Sequence, residues 1–222
     1  MKILYEDRWI AVAVKPSGLL SEPDGRGGGM PELLAEELGG EIYTVHRLDR
    51  AVSGVMLFSR DRNVTGKLTA AVAERAVEKE YLAVLTGVPA EKAAVLEDLL
   101  FRDAAINKSY VVKRERKGVR RARLSYELLD TAVDETGTLS LVKVHLDTGR
   151  THQIRVQFAS RGLPILGDGR YGSRDRRCEV ALFSHALGFR HPVTGKTLRF
   201  SDEPEGWPWS LFSVSALTQK NE

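Results

Sequence analysis

Two short apolar runs open the chain, Ile3 to Tyr5 and Ile10 to Val14, and predict a pair of strands joined by a polar link. Lys15-Pro16-Ser17-Gly18 predicts a turn, because proline fixes φ and glycine accepts conformations closed to other residues. GRGGG at 25–29 reads as a loop, and Pro31 to Leu38 as a short helix stopped by Gly39-Gly40. Val55-Met56-Leu57-Phe58 predicts a buried strand. Residues 61–79 follow as an amphipathic helix, with Val64, Leu68, Val72 and Ala76 near one face. Glu80 to Thr86 returns as a strand, ending at Gly87 and Pro89. Between 108 and 146 the segments YVVK, RLSYELL and LSLVKVHL are strand-like, separated by basic or glycine-containing turns. Asp147-Thr148-Gly149 turns the chain into a short helix over Thr151 to Ser160. The closing ALFSHALGFRHPVTGKTLRFSDEP reads as two strands around a His-Pro…Gly turn. Strands predominate and helices interleave irregularly, which predicts an α+β fold on a mostly antiparallel or mixed sheet.

Length and composition narrow the class. The 222 residues, 42 % hydrophobic and 28 % charged, suit one large globular domain with a sizeable core and argue against a disordered chain. The longest apolar run, Trp9 to Val14, is far below the roughly 20 residues a membrane helix needs. The N-terminus lacks the apolar core and cleavage site of a signal peptide. A single cysteine, Cys178, cannot form an internal disulfide; together these features point to the cytoplasm.

Charge is unevenly spread. The net +3 conceals a segment, 102–123, with nine Lys and Arg against two acids, a net of +7. Residues 150–177 carry seven Arg against two Asp, a net of +5, which leaves −9 for the remainder. Such asymmetry fits a basic surface for a polyanion, nucleic acid first. Two solvated loops whose charge aids solubility would look the same.

Most common chemistries find no support. The five histidines (46, 145, 152, 185 and 191) form neither HExxH nor a compact cluster with carboxylates, so no metal site is expected. The glycines at 25–29 are not followed by GKS or GKT, so this is no P-loop, and no GxSxG elbow is present. Arginines around Cys178 would favour a thiolate, but an incidental thiol is the simpler reading. Two segments stand out instead. HRLDRAVSGVMLFSR, residues 46–60, sets Asp49 between Arg47 and Arg50 just before a buried strand; taken alone, an acid among arginines is usually an ion pair. DTGRTHQIRVQFASRGLPILGDGRYG, residues 147–172, adds Arg150, Arg155 and a Gly-Asp-Gly turn.

These residues carry a family resemblance. HRLD followed by SG, GRTHQIRV and GLPILGDGRYG resemble motifs of RluA-type pseudouridine synthases, and KPSGLLS at 15–21, KEYLAVLTG at 79–87 and HPVTGKTLRF near the end fit in the family's order. The resemblance covers roughly residues 3–200. It implies a single α+β catalytic domain over 1–222, built on a long mixed sheet with a central RNA-binding cleft. It also implies isomerisation of uridine in structured RNA, ribosomal or transfer, with no cofactor, no membrane and no obligatory protein partner, by a monomer.

Roles follow residue by residue from that resemblance. Asp49 matches the catalytic aspartate, and Arg47 the arginine that enters the RNA stack as the target base leaves. Tyr81 matches the active-site tyrosine, and Arg155 the cation that pairs with the catalytic carboxylate. Arg150 is assigned a phosphate or active-site contact. The chemistry suits them: an ionised carboxylate serves as nucleophile, base or charge stabiliser at the sugar, and a planar cation fills the gap left by a flipped base. Ordinary readings stand beside these, Tyr81 as a core aromatic and Arg155 as a surface residue. His46 and His152 read as hydrogen-bonded supports, and Trp207 and Trp209 as a packing anchor or an RNA-stacking pair. Val52 stands where the family commonly has threonine, and Gln157-Phe158 replaces a pair that often contains histidine. A chain beginning in its catalytic domain leaves no room for an N-terminal S4-type domain. The rival readings are an RNA-binding protein without turnover and an RNA glycosidase that releases the base.

Overall fold

The computed structural model describes residues 1–23, 25 and 28–214, so Arg26 and Gly27 of the glycine-rich loop lie outside the described residues. Among the described residues the elements begin β1 (Ile3–Glu6), β2 (Ile10–Lys15), α1 (Met30–Leu38), β3 (Tyr43–Thr44), β4 (Ser53–Ser59) and α2 (Arg62–Ala73). They continue with β5 (Glu78–Thr86), β6 (Ala93–Asp103), β7 (Lys108–Val112), β8 (Val119–Asp134), β9 (Gly137–Leu146), α3 (Gln153–Ala159), β10 (Leu182–Arg190) and β11 (Thr197–Ser201). Pairing is mixed and mostly antiparallel, so the α+β expectation holds. No helix among the described residues is long and apolar enough to cross a membrane.

The chain divides into two compact units, 1–80 with 183–204, and 81–182 with 205–222. In the first, β2 pairs antiparallel with β1 and β4, while β4 runs parallel to β10. Alternate residues of β2 and β4 (Ile10, Val12, Val55, Leu57) meet Leu68 of α2 and Leu187 and Phe189 of β10 in a dry core. The SG pair has a steric reason. Gly54 has φ +119°, and a Cβ there would fall 2.4 Å from the Ser184 carbonyl oxygen and 2.5 Å from its nitrogen. Only glycine lets β4 and β10 approach so closely. Ser184 Oγ then donates to the Val55 carbonyl at 3.0 Å across the same contact.

The second helix is a correction. The spacing predicts a helix over 61–79, but α2 stops at Ala73 and β5 has begun by Glu78. The Ala76 N–H donates to the Ala71 carbonyl at 2.8 Å and the Arg75 N–H to Val72 at 3.3 Å, with Arg75 at φ +63°. These bonds form a Schellman closure. The usual glycine is replaced by arginine, so the stop signal was invisible. At the other end Asp61 caps the helix, its carboxylate accepting the Asn63 N–H at 2.7 Å.

In the second unit β8 and β9 form a long hairpin with an irregularity between Leu128 and Asp130, and β6 lies between β8 and β7. Leu100, Ala122 and Val156 make a small core against Tyr171, seating α3 on this sheet. Residues 102–123, the net +7 segment, run from the end of β6 through β7 to the start of β8, with Lys113, Arg114, Arg116 and Lys117 in the turn between β7 and β8, and most of its cations are exposed. Arg116 stacks on the Phe101 ring at 4.6 Å. Trp209 is buried, and Trp207 carries the Arg177 guanidinium 4.3 Å from its ring, as a packing anchor would.

Candidate active site

Asp49 sits on an irregular loop that the KPSGLLSE segment clamps from one side. Ser21 Oγ accepts the Leu48 N–H at 3.0 Å and donates to the Leu48 carbonyl at 2.7 Å. The Arg50 carbonyl accepts the Gly18 N–H at 2.8 Å, Arg50 Nε donates to the Gly18 carbonyl at 2.8 Å, and Ser17 Oγ donates to the Ala51 carbonyl at 3.0 Å. Both neighbours of Asp49 are thus fixed, while its own carbonyl accepts the Val52 N–H at 2.9 Å. The half-buried carboxylate rides on a backbone that has little room to move.

Lys15 is the centre of the clamp. It is 0 % exposed, and its ammonium donates to the carbonyls of Pro16, Leu19 and Arg50 at 2.9, 2.9 and 3.2 Å. Burial pushes its pKa down to about 8; the Asp49 charge opposes that fall and Arg50 adds to it. His46 is buried behind the loop, where Nε2 accepts the Leu57 N–H at 2.9 Å. Burial, with Lys79 adding, holds its pKa at about 3, so His46 is a neutral support, as expected. Arg47 is the opposite case. Its side chain is 64 % exposed and, among the described residues, meets a surface carboxylate, Glu22, at 3.2 Å, a contact worth little. It is therefore able to swing. Val52 is buried, so the departure from threonine falls in the core.

In the second unit the helix α3 presents Arg155. Its entry is strained: His152 adopts the left-handed region at φ 54°. Gln153 anchors the turn, its Oε1 accepting from Thr148 Oγ1 at 2.7 Å and from the Arg150 N–H at 3.0 Å. Arg155 is 5 % exposed, which rejects the surface reading. Asp168, itself 1 % exposed, grips it by two bonds, Nε to Oδ2 at 2.7 Å and Nη2 to Oδ1 at 2.9 Å. The first glycine of the Gly-Asp-Gly turn has a steric reason: Gly167 has φ +78°, and a Cβ there would meet the Glu179 carbonyl oxygen at 2.2 Å. Tyr81 is buried in β5. Arg150 is exposed, and its Nε donates to the Arg121 carbonyl at 3.1 Å, beside the basic strand β8. Gln157 is fully buried, and its Nε2 donates to Asp98 at 2.7 Å, tying α3 to β6. Cys178 is no nucleophile, since burial pushes its thiol up to about 11.

Asp49 and Arg47 thus share one clamped loop of the first unit, whereas Tyr81, Arg150 and Arg155 belong to the second. Lys15, Asp168 and Tyr171 have equally specific roles that sequence reasoning passed over. Lys15 was read as part of a turn, and the other two as part of a glycine-rich one.

Comparison with known proteins identifies the family. The RNA pseudouridylate synthase family profile matches residues 10–160. An uncharacterized RNA pseudouridine synthase of Aquifex aeolicus is 33% identical over 92% of this chain and 70% of its own length. The dual-specificity RNA pseudouridine synthase RluA of Escherichia coli is 32% identical over 89% of this chain and 90% of its own. The solved human RNA pseudouridylate synthase domain containing 1 shares the fold, with a TM-score of 0.82 over 99% of this chain and 93% of that one, at 22% identity. The motifs that place Asp49 and Arg155 therefore belong to an RNA pseudouridine synthase, and the chain is an RluA-type member of that family.

Proposed function

We propose that the chain isomerises uridine in structured RNA, ribosomal or transfer, with Asp49 as its catalytic carboxylate. The observation that carries this reading is the clamp on the Asp49 loop, in which a buried lysine and five further hydrogen bonds from the 15–22 segment hold the residues on either side of one carboxylate. In the reaction the N1–C1′ bond breaks, the uracil turns, and C5 bonds to C1′. N1, which carries no hydrogen in uridine, gains a proton, and the C5 hydrogen leaves as a proton, so no redox partner or cofactor is needed. Asp49 acts at the sugar as nucleophile, base or charge stabiliser. Tyr81 stacks on the uracil and handles a proton, and Arg155 is the cation matched to the carboxylate. Arg47, exposed and weakly held, enters the stack when the base flips, which costs about a few kcal/mol. Arg150 and the basic strands hold the phosphates. The reading extends to a single catalytic domain over 1–222 that works as a cytoplasmic monomer.

Asp49→Asn keeps the size and the backbone ties but removes the charge. We expect RNA retention on filters to change by no more than about threefold while turnover disappears. Wild-type turnover by this variant would remove the assignment. Free uracil in the product, in place of pseudouridine, would move the chain to the glycosidases.

A further inference from the structure

Tyr171 does more than fill space beside α3. It is half-buried, and its hydroxyl accepts the backbone N–H of Ser109 in β7 at 2.9 Å. The same hydroxyl shares a 2.9 Å hydrogen bond with His152 Nδ1. Its ring meets His152 edge-on at 5.6 Å. The Arg155 guanidinium carbon sits 5.2 Å from the ring centroid, and Lys108 Nζ sits 5.4 Å from it. Ser109 makes a second tie to the start of α3, its Oγ donating to the Thr151 carbonyl at 2.6 Å. A phenylalanine would fill the same volume, so packing alone gives no reason for the hydroxyl.

We propose that Tyr171 is a positioning residue for Arg155: held between the basic strand β7 and His152, its ring bears on the guanidinium that Asp168 grips, and so links the β7 strand to the site's cation. Asp168 fixes the guanidinium along its Nε–Nη2 edge, and Tyr171 fixes its face. Displacement of β7 would be felt at Arg155 through the Tyr171 hydroxyl and ring. The proposal rests on the reading that Arg155 serves the reaction, and the test separates the two.

The test measures tritium release from C5-tritiated total cellular RNA and filter retention of the same RNA. Wild type is compared with Tyr171→Phe, Arg155→Lys and the double variant. Tyr171→Phe should slow turnover about tenfold while RNA retention changes less than about twofold, because a misplacement of an ångström or less suffices. The double variant should be no slower than Arg155→Lys alone, since Tyr171 acts only through that side chain. A purely structural tyrosine would not produce this loss of additivity. Tyr171→Phe at the wild-type rate, or slowdowns that multiply in the double variant, would overturn the proposal while leaving Arg155 its role. Arg155→Lys at the wild-type rate would instead overturn the reading of Arg155, and the proposal with it. His152→Asn, which tolerates the left-handed backbone but removes the ring from the phenol, should slow turnover in the same direction. It decides the matter should Tyr171→Phe fold poorly, and a wild-type rate there would count against the proposal.

Discussion

His46 shows how one buried side chain ties loop geometry to pH. Its pKa of about 3 lies below the ordinary 6.5, so between those values the unfolded chain binds a proton that the folded chain refuses. Its stabilising effect is complete above pH 6.5 and is lost as the pH falls toward 3. His46→Gln keeps an acceptor for the Leu57 N–H and removes the titration. Urea unfolding should show wild-type stability falling more steeply than the variant's below pH 6.5, by up to about 1.4 kcal/mol per pH unit. Parallel curves would mean that His46 protonates in the folded protein. Lys15 is a related case at the end of β2, a buried cation whose three carbonyl bonds offset only part of its desolvation.

At the scale of elements, two glycines should respond in opposite directions. Gly54→Ala adds a Cβ against Ser184 at a φ of +119°, and should destabilise the fold by about 3 kcal/mol in denaturant unfolding. Gly66 lies in the middle of α2 with nothing within 4 Å of an added Cβ. Gly66→Ala should stabilise by about 1 kcal/mol through helix propensity. Equal effects would contradict the account of the β4–β10 contact. The same contrast explains what the sequence made legible. Strands with clean apolar runs, such as β2 and β4, and helices with proline or glycine punctuation, such as α1, stood out. The end of α2 did not, because Arg75 occupies a position where glycine would have signalled the stop. Strand β6 gives no clear signal: AAVLEDLLFRD has three acids and two leading alanines in place of an alternating pattern, and its place between β7 and β8 is set by partners distant in sequence. Asp168 lies within the GLPILGDGRYG segment, yet its grip on Arg155 depends on a turn that no local pattern encodes.

For the molecule as a whole, the small net charge conceals a strongly basic surface segment. Lys113, Arg114 and Lys117 are exposed in the turn between β7 and β8. RNA affinity should fall steeply with salt, and changing these three residues to glutamine should reduce the slope of log affinity against log salt by about 2. An unchanged slope would place the RNA on another face. Nearly salt-independent binding would reject the electrostatic account.

The most direct test of the central claim is tritium release from cellular RNA labelled at uracil C5, with wild type beside Asp49→Ala. That hydrogen leaves only when C5 replaces N1 at the sugar. The account predicts release by wild type and none by the variant, with both retaining RNA. Release by Asp49→Ala at the wild-type rate would contradict the assignment of Asp49. Tight binding by wild type without release from ribosomal or transfer RNA would contradict turnover on these substrates.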